Sequence, residues 1–261
     1  MGALLDLDRY PLDRPGSDEY RQLVRRCRAA LADDGLFDLA GLLRSAALVP
    51  IIEVLRPLID NASFTHRRRH NIYFSPEVPG LAHDHPALRE METVNRTVCA
   101  DQMGQTDLVR IYEWAPLRRL LAAATAVPEL FVMDNDLARV NVMSYRDGEA
   151  LNWHFDRSEF TTTLLLQQPT AGGDFEYRPD LRADGEANHD GVGRLVAGLD
   201  EAVCRHRADP GTLTVFAGRN TAHRVTPTVG ERDRIIAVFS YYERPGVVFT
   251  PAERVGFYGR S

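Results

Sequence analysis

The run Asn152-Trp153-His154-Phe155-Asp156 sets an imidazole and a carboxylate two residues apart. On an extended chain that spacing turns both side chains to one face, where they can converge on one ion. A third donor must come from elsewhere. His223, in Thr221-Ala222-His223-Arg224-Val225, lies ahead of Pro227 on a second stretch of strand character. Two imidazoles and one carboxylate are the donor set that suits non-haem Fe(II), because they leave coordination positions open. A His-x-acid pair alone says little, since about one is expected by chance at this composition. The residues around it carry the argument.

Those residues come in a definite order. Tyr145 and Gly148 precede His154, and Ala171-Gly172-Gly173-Asp174-Phe175 gives a double-glycine entry to a strand. Gly211-Thr212-Leu213 and Phe216 then lead toward His223. After His223 come Arg232 and Arg234, just ahead of the apolar run 235–242.

Composition removes several other chemistries. All 31 basic residues are Arg and none is Lys, so a Schiff-base or pyridoxal-phosphate lysine and the phosphate-binding lysine of a Walker A loop are both excluded. The net charge of -6 argues against nucleic acid as a partner and leaves a small molecule as the expected one. Arg67-Arg68-Arg69 reads as a solvated face that could still receive an anion. Cys27, Cys99 and Cys204 are odd in number and far apart, so neither a disulfide framework nor a cysteine-rich zinc site is expected. No apolar run approaches the length of a membrane span, and the first residues do not read as a secretory signal. The expectation is a soluble, cytoplasmic protein with no membrane partner.

The elements that must position the candidate donors divide at about residue 130. Before it the chain reads as mainly helical. Ser17 is a plausible N-cap for a helix whose apolar positions Tyr20, Leu23, Val24, Cys27 and Leu31 recur at helical spacing, and Gly35 can end it. A short strand over 36–43, a helix over 46–59 and another over 108–126 follow. Residues 62–105 read as loops and short elements, with His66, Arg69, His70 and Asn71 in a loop able to cover a site. His83-Asp84-His85 reads as surface loop. Beyond residue 130 the pattern switches to short strand-like runs over 138–145, 160–167, 173–177, 211–216, 223–227, 234–242 and 247–249. The polar insertion 178–209 reads as a loop with a short helix over 192–203.

The set Tyr145, Gly148, His154-x-Asp156, Gly172-Gly173, Gly211-x-Leu213-x-x-Phe216, His223 and a following Arg resembles the Fe(II)/2-oxoglutarate-dependent dioxygenase superfamily. The run 154–163 and the ending Phe257-Tyr258-Gly259-Arg260 look more narrowly like the group that contains the radical amino-acid halogenases of the BesD type and related hydroxylases. The resemblance implies an α+β fold, with a double-stranded β-helix (jelly-roll, cupin-like) core and N-terminal helices packed on it. It implies one oxygenase domain over 1–261, with 1–129 as a mainly helical part and lid and 130–261 as the jelly-roll core. It further implies Fe(II) held by His154, Asp156 and His223, 2-oxoglutarate as co-substrate, and O2.

Within that resemblance, the distal carboxylate of 2-oxoglutarate needs a fixed cationic fork, a task that suits arginine. Arg234 is the first candidate because it opens the apolar strand; Arg232, of the same strand parity, is the second. Tyr145 could add a hydroxyl. Candidate substrate contacts are Arg157, Glu159, Asn141, Asn152 and Ser240. Halogenases of the group carry a small residue in place of the carboxylate ligand, which opens a position for chloride, whereas this chain carries Asp156. The expected reaction is therefore hydroxylation, or another oxidation such as desaturation, of a small polar molecule such as a free amino acid or derivative, and not chlorination. An alternative is a cupin-type metal dioxygenase or isomerase that uses the same ligands without 2-oxoglutarate; it would not need the arginine after His223.

Overall fold

In the computed structural model, which describes residues 1–183 and 185–260, helix α1 (Asp18–Asp34) starts where the sequence predicts. The Ser17 hydroxyl accepts from the Tyr20 amide, and Gly35 closes the helix in the left-handed conformation. Strand β1 (Leu36–Leu39) and helix α2 (Ser45–Ala62) follow. Pro50 and Pro57 lie within α2, but both point outward while Ala47, Ile51, Leu55 and Ile59 form its buried stripe.

The stretch expected as loop is instead a long antiparallel hairpin arm, β2 (Phe64–His70) and β3 (Met91–Cys99), paired from Phe64↔Thr97 to His70↔Met91. Its strands escape an apolar-periodicity reading because β2 alternates half-buried and exposed polar residues. After α3 (Ala100–Met103), the single helix expected over 108–126 is two, α4 (Asp107–Glu113) and α5 (Ala115–Thr125). Trp114 is extended between them and Pro116 sits in the first turn of α5, where its missing N–H costs nothing and where it blocks a continuous helix.

The second half carries β4 (Phe131–Val132), β5 (Val140–Tyr145), β6 (Leu151–His154), β7 (Thr161–Gln167), β8 (Ala171–Gly172) and β9 (Phe175–Arg178). Helix α6 (His189–Val196) and β10 (Cys204–His206) follow, so the insertion contributes a strand as well as a helix. The chain ends with β11 (Leu213–Phe216), β12 (Ala222–Val225), β13 (Thr228–Val229), β14 (Arg234–Phe239), β15 (Tyr241–Tyr242) and α7 (Pro251–Tyr258). The run 247–249 forms no strand, and the run 234–242 breaks at Ser240.

A seven-stranded sheet in the order β1-β11-β7-β14-β5-β3-β2 faces a four-stranded sheet in the order β10-β9-β12-β6. Strands β5, β6, β7, β9, β10, β11, β12 and β14, four from each sheet, make the double-stranded β-helix, and β1, β2 and β3 widen the larger sheet. That larger sheet sorts its side chains by parity. Val140, Val142, Leu164, Leu166, Leu213, Val215, Ile235 and Ala237 join the apolar core with the helices. The alternate positions Asn141, Met143, Tyr145, Thr163, Leu165, Thr214, Arg234 and Ile236 face a cavity between the sheets. Among the described residues, no helix is long and apolar enough to cross a membrane.

Candidate metal centre

His154 is the last residue of β6 and His223 lies on β12, directly opposite it in the antiparallel pair. Their rings approach to 4.1 Å between centroids. Each uses Nδ1 on a backbone carbonyl two residues earlier: His154 on Asn152 at 2.8 Å and His223 on Thr221 at 3.0 Å. A carbonyl can only accept, so both Nδ1 atoms carry the proton and both Nε2 lone pairs are left for an ion. Phe216 packs edge-on at 4.7 Å and fixes the His223 ring.

Asp156 lies beyond the end of β6, not on it. Its position is set by its amide, which donates to the Gly218 carbonyl at 3.0 Å, and by the Thr161 hydroxyl, which donates to Oδ2. The carboxylate thereby reaches His154 Nε2 at 3.5 Å and His223 Nε2 at 3.3 Å. One donor atom from each residue falls within 4.8 Å of the others. Burial alone would raise the Asp156 carboxyl, but the two imidazoles hold it well below the usual carboxylate range. Burial and the neighbouring His223 pull His154 below its ordinary value. Both shifts favour the deprotonated forms that bind metal.

Gly218 was not singled out by the sequence, yet the site depends on it. A Cβ there would lie 2.5 Å from Thr161 Oγ1 and 2.7 Å from Asp156 Oδ2. Thr161 also went unnoticed; its only signal is its place at the head of a strand five residues after the carboxylate.

The cavity measures about 760 Å³, and the donor set and Arg234 both line it. Arg234 is the first residue of β14, paired with Tyr145 on β5. It is 6 % exposed. Its Nε donates to the Gly173 carbonyl at 3.1 Å, its guanidinium lies 5.6 Å from the Tyr145 ring centroid, and its Nη1 is buried with no hydrogen-bond partner. Burial pulls its pKa below the ordinary arginine value. A buried cation with an orphan donor calls for an anion. Gly173 has φ +63°, and a Cβ there would lie 3.1 Å from the Arg234 Cδ and 2.9 Å from Pro169, so the double glycine keeps room for the arginine. Tyr145 is buried, its hydroxyl facing Met143 Sδ at 3.8 Å, and burial pushes its pKa up to about 12.

Arg232 lies before β14, is exposed, and donates to the Pro169 carbonyl at 3.2 Å; it does not line the cavity. Of the candidate substrate contacts, Asn141, Arg157 and Ser240 line the cavity, whereas Asn152 and Glu159 do not. Asn141 donates to the Leu137 carbonyl and accepts from the Tyr258 hydroxyl at 3.0 Å. Arg157 pairs with Glu253 on α7 and lies over the Phe257 ring. Asn152 turns away to the Glu92 carbonyl, and Glu159 pairs with Arg219 at 3.2 Å. His66 and Arg68 line the cavity from β2, and Asn95 from β3; period-two spacing in 64–70 was the available signal.

Comparison with known proteins adds three observations. A sequence-family profile described as HalD, Halogenase D, matches residues 21–247. No curated protein sequence matches the chain. Solved structures share its fold at low identity. An oxidoreductase of the 2OG-Fe(II) oxygenase family from Burkholderia pseudomallei is 14% identical, with TM-score 0.54 over 86% of this chain and 92% of that one. A Pseudomonas putida prolyl-4-hydroxylase is 16% identical, with TM-score 0.51 over 85% and 99%. HygX from Streptomyces hygroscopicus, with nickel and 2-oxoglutarate bound, is 15% identical, with TM-score 0.55 over 87% and 88%.

Proposed function

Because the chain belongs to the halogenase D family, we propose that it is an Fe(II)- and 2-oxoglutarate-dependent hydroxylase acting on an unactivated C–H bond of a small polar molecule, a free amino acid or close derivative. In this reading residues 1–261 work as one oxygenase domain. His154, Asp156 and His223 hold the iron, and their two imidazoles and one carboxylate fit that ion with positions to spare. Bound iron, 2-oxoglutarate and O2 would supply the oxidising power, with succinate and CO2 as co-products. The observation that carries the reading is the orphan Nη1 of Arg234, buried in the same cavity as the donor set. It supports a carboxylate at that end, which 2-oxoglutarate has and a cupin-type enzyme without the co-substrate does not need. Tyr145 lies buried beside the arginine, its ring centroid 5.6 Å from the guanidinium.

Hydroxylation is favoured over halogenation by Asp156. Its carboxylate stands 3.5 Å and 3.3 Å from the two imidazoles, filling the position a halide would require.

The test is an anaerobic titration of metal-free protein with Fe(II) and 2-oxoglutarate, read by the visible charge-transfer band of the chelate. The band is expected in the wild type. Iron binding without the band would overturn the 2-oxoglutarate reading. Turnover in chloride-containing buffer should add oxygen to the substrate; a chlorinated product would overturn the hydroxylase reading.

A further inference from the structure

His70, the last residue of β2, is a buried imidazole outside the donor set. Its Nδ1 lies 2.8 Å from the Asn71 carbonyl and its Nε2 lies 2.8 Å from the Thr93 hydroxyl. A carbonyl only accepts, so Nδ1 carries the proton and Nε2 accepts from Thr93. With its own proton committed, the Thr93 oxygen accepts the Asn152 amide at 3.0 Å. The Asn152 carbonyl in turn accepts the Nδ1 proton of His154 at 2.8 Å. Each donor in this series is fixed by the group before it, and the series ends on a candidate metal ligand. Strand β3 holds the same stretch of chain at two further points. The Val94 amide donates to the Ala150 carbonyl at 2.9 Å, and Asn152 Nδ2 donates to the Glu92 carbonyl at 2.5 Å.

A second contact between His70 and His154 runs through an aromatic ring. Phe74 has φ +55°, in the left-handed region that a bulky side chain rarely adopts. Asn71 keeps it there: its Oδ1 accepts from the amides of Tyr73 at 3.0 Å and Ser75 at 3.4 Å, and its Nδ2 donates to the Ser75 carbonyl at 2.6 Å. In that conformation the Phe74 ring stacks on His70, with centroids 4.1 Å apart and planes at 21°, and meets His154 edge-on at 6.0 Å. Strained backbone of this kind persists where the surroundings enforce it, often at functional sites.

We propose that His70 is a positioning residue for His154. Through Thr93 it sets the Asn152 backbone, whose carbonyl holds His154 Nδ1, and through Phe74 it braces the face of the ring. This rests on the iron-binding role of His154 proposed above. A neutral imidazole suits the task because it offers one donor and one acceptor on opposite sides of a flat ring. His223 lies outside this series, since its Nδ1 partner is the Thr221 carbonyl; it serves as the internal control.

The test uses full-length protein loaded with Co(II), which stands in for Fe(II) and spreads the proton NMR signals of its ligands. The wild type should show two exchangeable, hyperfine-shifted Nδ1 proton signals, one from each ligating imidazole. Thr93→Val should move or broaden one of them and leave the other, with Fe(II) affinity lowered about tenfold. Thr93→Ser keeps the hydroxyl and should keep both signals in place. His70→Phe leaves a ring beneath Phe74 but offers Thr93 no acceptor, and it should move the same signal as Thr93→Val. A role in stability alone would change both signals alike or neither. Equal changes in both, wild-type signals in His70→Phe, or a Thr93→Ser variant as disturbed as Thr93→Val would each overturn the proposal. A wild-type protein that binds Co(II) without the two signals would instead overturn the ligand assignment itself.

Discussion

His154 and His223 stand directly opposite each other on β6 and β12, with their Nδ1 atoms tied to backbone carbonyls and their Nε2 atoms aimed at the same carboxylate. Their orientation is thus written into strand pairing before any metal arrives. A site held this way should lose the ion, and not the fold, when one ligand is removed. His223→Ala is expected to weaken Fe(II) binding by at least about 100-fold, beyond the loss typical of disturbing an outer partner. Metal content after dialysis checks this, with the melting profile of the metal-free protein as the control for folding.

Arg234 and Arg232 can be separated by one pair of variants. Arg234→Gln removes a buried charged donor, and charged hydrogen bonds contribute about 1.5–3 kcal/mol each. The affinity for 2-oxoglutarate should fall on the order of 100-fold. Arg232→Gln, at an exposed position outside the cavity, should leave it within about twofold. Titration of the charge-transfer band measures both, and equal losses would contradict the assignment.

Gly218→Ala should damage the metal centre more than its size suggests. The new Cβ would press on Thr161 and Asp156 at distances that force a shift, and the cheapest atom to move is the carboxylate. Weaker Fe(II) binding is expected together with a small change in melting temperature. Thr161→Val should act in the same direction, about tenfold in affinity, by removing the hydroxyl that orients Asp156. Unchanged metal binding in both variants would show that the carboxylate is positioned by other means.

The pH dependence of stability follows from His70. Burial pulls its pKa down from 6.5 to about 4, against a smaller opposing effect of the Asn71 carbonyl. Between those values the unfolded chain carries a proton that the folded chain does not. Stability is therefore full above about pH 6.5 and declines as pH falls toward about 4. Melting of metal-free protein at about pH 7.5 and about pH 5 should show the loss, and His70→Gln should flatten part of it. An identical slope in the variant would remove His70 from the account.

The core strands could be read from the sequence because one face of each is apolar and meets helices: Val140, Val142, Leu164, Leu166, Ile235 and Ala237 leave a period-two trace. The donor triad could be read because an ordered set surrounds it: Tyr145 and Gly148 before it, the double glycine after it, and an arginine following His223. The hairpin arm was missed for the opposite reason. Its inward residues face a cavity and are themselves polar, so both faces of β2 look alike. The choice between Arg232 and Arg234 was open because the two share strand parity; only the start of β14 at Arg234 separates a buried guanidinium from an exposed one. Asp156 was expected on the strand with His154. Its actual support is Thr161, five residues on at the head of β7, and Gly218, from the distant turn before β12, a contact that no local spacing encodes.

The β2–β3 arm joins the barrel along its edge through the backbone ladder between β3 and β5, and touches β6 where Asn152 meets the Glu92 carbonyl and the Thr93 hydroxyl. Backbone bonds do not depend on which side chains hang beside them, so cavity-facing positions of the arm can be exchanged while the strand pairing stays; Thr93, whose hydroxyl accepts from the Asn152 amide two residues before His154, is the exception. A combinatorial library confined to positions 66, 68, 95 and 97 is thus the economical place to retune what it accepts.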